Sequence, residues 1–289
     1  MKKILVTGKT GGISNGFRDY LSETFSDDYD VKIISLRDEK WKNMNFGEFD
    51  AIYHCAGLVS GPYEELERVN MNISVELFHK AIDDGVKIFI YLSSMAVYSL
   101  ENLKKPMGGI IGPDTPLNGQ TAYGRSKIEA EKCLLNLETK NIKLAIIRAP
   151  SVFGRKSEQV MEMYAKALKL PIFPLMFDEC KRGLIYIDCL SEMVRLIAET
   201  GQGGIYCPQN LPLYSTSDII RELKQILNSR TILFNIPRFL QIRCKFTNRR
   251  FGNQCYTDEL SRAFENSYCV LDTKTAIQKS LSTNEYNSI

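Results

Sequence analysis

The chain has 289 residues, 44% of them apolar, and 37 basic against 34 acidic side chains leave a formal net charge of +3. That length buries a large core, of which a parallel-sheet domain takes about half. A charge this small and evenly spread excludes a nucleic-acid or membrane-surface protein, and the basic pairs Lys104-Lys105, Lys181-Arg182 and Arg249-Arg250 stand isolated.

The first apolar run, from Met1-Lys2-Lys3 to Gly8, is too short for a secretory signal or a membrane span. Lys9-Thr10-Gly11-Gly12-Ile13 follows it, and a helix-like stretch covers 17–25, so the segment reads as strand, glycine turn, helix. Such a turn lets backbone N–H groups approach a pyrophosphate where the helix dipole favours negative charge. Further strand-like runs at 31–35, 51–54, 88–93 and 144–148 alternate with helix-like runs at 66–83 and 123–139. That order predicts an α/β fold with a doubly wound parallel sheet. The run ending at Ser93-Ser94 places Ser94 at the carboxyl edge of the sheet, where ligands bind. A Gly- and Pro-rich loop from 99 to 116 is long enough to close over a ligand.

Tyr123 and Lys127, four residues apart, share one helix face. An ammonium beside a phenol favours the phenolate, drawing a pKa of ~10 toward working pH and making the tyrosine a proton donor and acceptor. After Gly154 the pattern is less regular, with helix-like runs at 160–170 and 189–199 and a break at Pro171-Ile172-Phe173-Pro174. Residues 1–154 are read as a dinucleotide-binding domain, and 155–289 as a smaller substrate-binding region interleaved with it; the polar tail 284–289 is expected to fray. The eight cysteines (55, 133, 180, 189, 207, 244, 255 and 269) contain no Cys-x-x-Cys pair and read as free thiols of a reducing, cytoplasmic compartment. With His54 and His79 the only histidines, no metal site is expected and histidine-based hydrolase arrangements are excluded. His54 ends an apolar strand and reads as a satisfied structural group.

The glycine turn at Gly8, Ser94 at a strand end and Tyr123 with Lys127 on the next helix together resemble the short-chain dehydrogenase/reductase superfamily. The likeness is closest to its extended branch, and there to the NAD-dependent epimerase/dehydratase family, which acts on nucleotide-linked sugars. Residues 50–57 are similar to that family's fourth strand, Val69-Asn70 to its Asn-bearing helix start, and Ser93 to Tyr98 to its serine strand. Residues 148–154 are similar to the strand after the catalytic helix, and 182–188 to the substrate-side segment with its diphosphate-binding arginine. The resemblance runs from residue 1 to roughly 225. It implies dinucleotide contacts from Gly8, Lys9, Gly11, Gly12, Ile13, Ala56, Gly57, Asn70, Tyr123, Lys127 and Pro150. It implies substrate contacts from Ser94, Met95, Ser151 and Arg182, and a homodimer paired through two helices of each copy.

The sequence departs from that family in places that bear on function. Ser14 stands at the third glycine of the turn, which predicts looser packing of helix on strand. The second strand lacks the acidic residue of NAD-preferring members; Ser35 and Arg37 stand there, and a hydroxyl with a guanidinium suits the 2′-phosphate of NADP, favoured over NAD. So few residues separate Arg37 from Asp50 that the third strand must be abbreviated, with Trp41 expected near the adenine. Ser151 replaces the family's Asn.

On the resemblance, Tyr123 takes a sugar hydroxyl proton, Lys127 holds the ribose and lowers the tyrosine pKa, and Ser94 hydrogen-bonds the same oxygen. Sugar 4,6-dehydration needs an acid and a base directly after the serine, where Met95 and Ala96 cannot ionise. The family favours a nucleotide-sugar epimerase like the UDP-hexose 4-epimerases, serving surface-polysaccharide precursor synthesis. Ser35, Arg37 and the short chain suit an NADPH-dependent reductase of a nucleotide-linked 4-keto sugar instead. A catalytically idle dinucleotide-binding sensor or scaffold would need the turn but not the three side chains.

Overall fold

The computed structural model describes residues 1–98, 108–139, 141–155, 157, 159–241, 247 and 250–281. Residues 99–107 of the expected loop with Lys104 and Lys105, Cys244, Arg249 and the tail 284–289 lie outside the described residues.

The chain enters the sheet through β1 (Lys2–Thr7), passes over it as α1 (Gly12–Phe25) and returns in β2 (Tyr29–Ile34). Two 3₁₀ turns, Glu39–Asn43 and Phe46–Glu48, lead to β3 (Ala51–His54). The crossover to β4 (Ile88–Ser94) is one long helical run: α2 (Tyr63–Glu67), a π turn Arg68–Asn72, and α3 (Ile73–Asp83). After β5 (Gly108–Ile111) come α4 (Ala122–Asn136) and β6 (Lys143–Ala149). Among the described residues the central sheet has six parallel strands, the last being β10 (Gly204–Tyr206), in the order β10-β6-β4-β3-β1-β2. The direction of winding reverses between β1 and β3. At such a switch point the carboxyl ends of adjacent strands splay into a ligand crevice.

Both faces of this sheet are covered, which is why β1, β3 and β4 read as continuous apolar runs rather than alternating ones. One face buries Leu5, Ile52, Phe89, Tyr91 and Ile146 against Leu77, Phe78 and Ala81 of α3 and Ala130 and Leu134 of α4. The other buries Val6, Tyr53, Ile90 and Ile147 against Phe17, Tyr20 and Leu21 of α1 and against α6 (Ile187–Thr200). Each such side chain stabilises the fold by about 1.5–3 kcal/mol.

The abbreviated third strand is replaced by the two 3₁₀ turns, and Trp41 does not face an adenine site. It is a correction to the sequence reading that Trp41 is 3% exposed, stacked on Phe46 with ring centroids 6.4 Å apart, as filler for the core beneath β2. Beyond Gly154 the chain adds β7 (Ser151–Phe153), α5 (Gln159–Ala165), β8 (Ile172–Leu175) and β9 (Leu184–Tyr186). It continues through α7 (Thr216–Ile226), β11 (Ile232–Asn235), β12 (Asn253–Tyr256) and a helix at Thr273–Leu281. Among the described residues, three two-stranded parallel pairs stand outside the central sheet: β7 with β9, β8 with β11 and β5 with β12. Within the expected loop, Gly108–Ile111 is therefore a strand, and a bridge between Tyr98 and Leu117 closes the loop's base. Among the described residues no helix is long and apolar enough to cross a membrane.

Candidate active site

Gly8 follows β1 with φ +101°, where an L side chain is strained, and an added Cβ would only touch the Ala56 backbone, at 3.4 Å. Its N–H donates to Ile34 O at 3.0 Å and its carbonyl accepts from Gly11 N at 2.9 Å. Gly11 caps α1 with no side-chain bond, so the first-turn N–H groups stay available to an anion. The looser packing expected from Ser14 does not occur. Ser14 is fully buried inside the turn and its hydroxyl donates to the Gly8 and Gly11 carbonyls. The close approach falls at Gly16, where a Cβ would lie 2.5 Å from Ile187 Cγ1 of α6.

Across the switch point, a Cβ on Gly57 would lie 2.9 Å from Asn70 Oδ1 and 3.6 Å from Lys127 Nζ, so only glycine keeps this cradle open. The Asn70 amide is committed to the Leu58 backbone in both directions and to the Ser126 hydroxyl, so it shapes the cradle by pinning the Ala56–Leu58 turn. Lys9 is exposed beside the turn. At the end of β2, the Ser35 hydroxyl accepts from Arg37 N at 3.2 Å, and Asp38 caps the next turn by accepting from Lys40 N. Arg37 is exposed and, among the described residues, in no ion pair. Open glycines, uncapped N–H groups and Lys127 beside Gly57 fit a dinucleotide.

Ser94 closes β4 and its oxygen accepts from Ala96 N at 3.1 Å. Thr121 caps α4 by accepting from Gly124 N at 2.9 Å, bringing Tyr123 to the Ser94 side chain. Burial raises the Tyr123 pKa above its ordinary value, and the Ser94 hydroxyl opposes this. The expectation of a lowered phenol is thus corrected. In the protein by itself desolvation outweighs any help from Lys127, whose Nζ donates to Leu92 O at 2.8 Å and to Tyr91 Oη at 3.1 Å. Burial draws Lys127 down to about 8, opposed by Glu131 and then Cys55.

A buried network that sequence reasoning missed lies under these groups. Arg148 of β6 makes three bonds to the Glu131 carboxylate at 2.7–3.2 Å and one to Tyr98 Oη at 2.7 Å, while Ser93 donates to the same carboxylate. The Tyr256 hydroxyl of β12 donates to Arg148 O at 2.6 Å. His54 is the structural group expected. Ser74 donates to Asn70 O, so His54 Nε2 carries the proton given to Ser74 and Nδ1 accepts from Thr7. Burial and then Lys127 push its pKa down to about 3.

On the substrate side, Pro150 is buried and Ser151 is exposed opposite Leu184. Met95 is buried with Cε against Gly183, joining the serine turn to the Arg182 segment. Arg182 N donates to Tyr214 O at 2.8 Å, and its guanidinium donates to Gly252 O at 3.3 Å. Arg250, two residues before Gly252 on a segment the resemblance does not cover, is anchored through its carbonyl, which accepts from the Thr216 hydroxyl. Among the described residues no cluster of side chains is arranged for a metal ion.

A doubly wound parallel sheet with a glycine turn at its switch point, and serine, tyrosine and lysine gathered at its carboxyl edge, defines an enzyme of the extended short-chain dehydrogenase/reductase type. The pattern of the NAD dependent epimerase/dehydratase family matches residues 4–206, and the chain belongs to that family. It is 26% identical to UDP-glucose 4-epimerase of Vibrio cholerae over 290 aligned positions, covering 90% of this chain and 85% of that one. The fold is shared with a dTDP-4-dehydrorhamnose reductase of Clostridium acetobutylicum at TM-score 0.73 and 16% identity, over 96% of this chain and 98% of that one. It is also shared with the UDP-Glc/GlcNAc 4-epimerase of Campylobacter jejuni at TM-score 0.66 and 17% identity, over 93% and 98%.

Proposed function

We propose that the protein is a nucleotide-sugar epimerase, acting on a UDP-hexose in the cytoplasm to supply surface-polysaccharide precursors, and that it works as a homodimer. The observation that carries this is the Ser94–Tyr123 hydroxyl pair at the sheet edge, followed by Met95 and Ala96, which provide neither acid nor base for dehydration. The likeness to a UDP-glucose 4-epimerase along nine-tenths of the chain supports it. Residues 1–154 hold the dinucleotide and 155–289 the sugar nucleotide in this reading.

The backbone of Gly8, Gly11, Gly12 and Ile13 holds the pyrophosphate, with Lys9 beside it, and Ala56, Gly57, Asn70 and Pro150 bound the nicotinamide half. When bound, the nicotinamide supplies the carrier for hydride. Lys127 has one N–H left for a ribose hydroxyl after its bonds to Leu92 and Tyr91. Tyr123 takes the proton from the sugar hydroxyl as its carbon is oxidised and returns it after the keto sugar has turned over, while Ser94 holds the same oxygen. Arg182 pairs with the diphosphate and Ser151 with the sugar.

Turnover of UDP-glucose and UDP-N-acetylglucosamine to their 4-epimers tests the reading. Tyr123→Phe is expected to keep dinucleotide affinity and lose about 10²–10⁴ in kcat; substantial remaining activity refutes the assignment. The second reading, an NADPH-dependent 4-keto-sugar reductase, is favoured by Ser35 and the exposed Arg37 just after β2. Mass spectrometry of dinucleotide released on denaturation separates the two. Tightly held NAD supports the epimerase, an empty protein that binds NADPH the reductase, and dinucleotide binding without turnover an idle sensor or scaffold.

A further inference from the structure

Tyr91 stands on β4 three residues before Ser94, in register with His54 on β3 and Ile146 on β6, and is fully buried. Its hydroxyl accepts from Lys127 Nζ at 3.1 Å and donates to Asn70 O at 3.1 Å. The sense of that chain is forced, because an ammonium only donates and a carbonyl only accepts. That carbonyl lies in the π turn of the crossover helix, where Ile73 N reaches back to Arg68 O. Asn70 O then takes the Ser74 hydroxyl at 2.7 Å together with that of Tyr91. Since the chain ends on a peptide oxygen with no proton to pass on, it is a seat and not a conduit.

We infer that Tyr91 is a positioning residue for Lys127, its hydroxyl tied to the Asn70 carbonyl so that the buried ammonium is held with one N–H left for a ligand. The role rests on the reading of Lys127 as the lysine that holds the cofactor ribose. A phenylalanine would fill the same space among Phe78, Phe89 and His54, so the hydroxyl is not required by packing. The other groups that face Lys127 are Glu131 on its own helix and Cys55 and His54 at the end of β3, with Tyr123 one turn before it on α4. Loss of the Tyr91 hydroxyl removes one of two acceptors from a buried ammonium, which favours the neutral amine.

The test uses ligand-free protein carrying lysine labelled with carbon-13 at Cε, the Lys127 resonance being assigned by its loss in Lys127→Met. The resonance of the unsubstituted protein is expected to titrate near about 8. In Tyr91→Phe the midpoint should fall by about half a pH unit or more. Tyr91→Met removes the hydroxyl with a different shape and decides the matter if the phenylalanine variant does not fold, thermal unfolding serving as the check on both. A Lys127 midpoint that stays in place in a folded variant without the hydroxyl overturns the inference. Because neither dinucleotide nor sugar is present, failure of the catalytic reading appears separately, as absent turnover with the Lys127 midpoint still displaced.

Discussion

Replacing Glu131 by leucine leaves the Arg148 guanidinium buried without its carboxylate. The pair is nearly dry, with side-chain exposures of 1% for Glu131 and 9% for Arg148, and bonded through three N–H···O contacts. Breaking such a pair from one side costs about 3–5 kcal/mol, because the remaining charge keeps its desolvation penalty. Against a total stability of ~5–15 kcal/mol that is a large fraction. Arg148→Met costs a similar amount from the other side, so independent effects would sum to about 6–10 kcal/mol in the double variant. The double variant is expected to lose far less, since two apolar side chains of similar volume replace two charges. The remaining loss is about 1–3 kcal/mol for the Ser93 hydroxyl, which donates to Glu131 and is 3% exposed. Urea unfolding followed through Trp41, the single tryptophan, reads this directly, because Trp41 belongs to the same core cluster as Ala130 and Leu134 of α4. A double variant as unstable as the sum of the two singles would refute the reasoning. Stability and function should also separate, because the double variant still lacks the Glu131 charge that holds Lys127 up.

Stability should depend on pH through His54, whose folded pKa near about 3 lies below the unfolded value of 6.5. Its contribution is complete above pH 6.5 and declines on acidification by up to ~1.4 kcal/mol per pH unit, because the unfolded chain takes up a proton that the folded one refuses. His54→Gln should flatten the slope between pH 7 and 5, and an unchanged slope contradicts the assignment. Cys269 is half-buried, and the neighbouring Cys189 thiol lowers the pKa of the Cys269 thiol below the ordinary value. Among the described cysteines it should react first with iodoacetamide at pH 7.5 by peptide mass, and a rate no faster than that of Cys133 refutes this. Arg182→Ala should weaken UDP-glucose binding about tenfold to a hundredfold while dinucleotide affinity stays the same; an unchanged sugar-nucleotide Kd removes Arg182 from the site.

Strands β1, β3, β4 and β6 were legible because burial on both faces leaves continuous apolar runs bounded by turn residues, and Gly8, Ser94, Tyr123 and Lys127 lie at the ends of those runs or one helix turn apart. The family likeness rests on those same local signals, and the match to residues 4–206 agrees with it. β10 left no such trace. It is three residues long and half-exposed or exposed throughout, and only its pairing with β6 makes it a strand. The π turn was read as uninterrupted helix for a related reason, since its residues have ordinary helical composition.

By itself, then, the sequence determined the winding of the sheet and the residue types at its carboxyl edge, because each is written in a window of a few residues. Tertiary structure alone decided that Trp41 fills a core, that Ser14 closes the nucleotide turn, that Arg148 meets Glu131, and that Lys127 rests on Tyr91. It also decided that burial leaves Tyr123 with a raised pKa. Each of these depends on which side chains distant in sequence share a dry space, and that exists only once the helices have closed on the sheet.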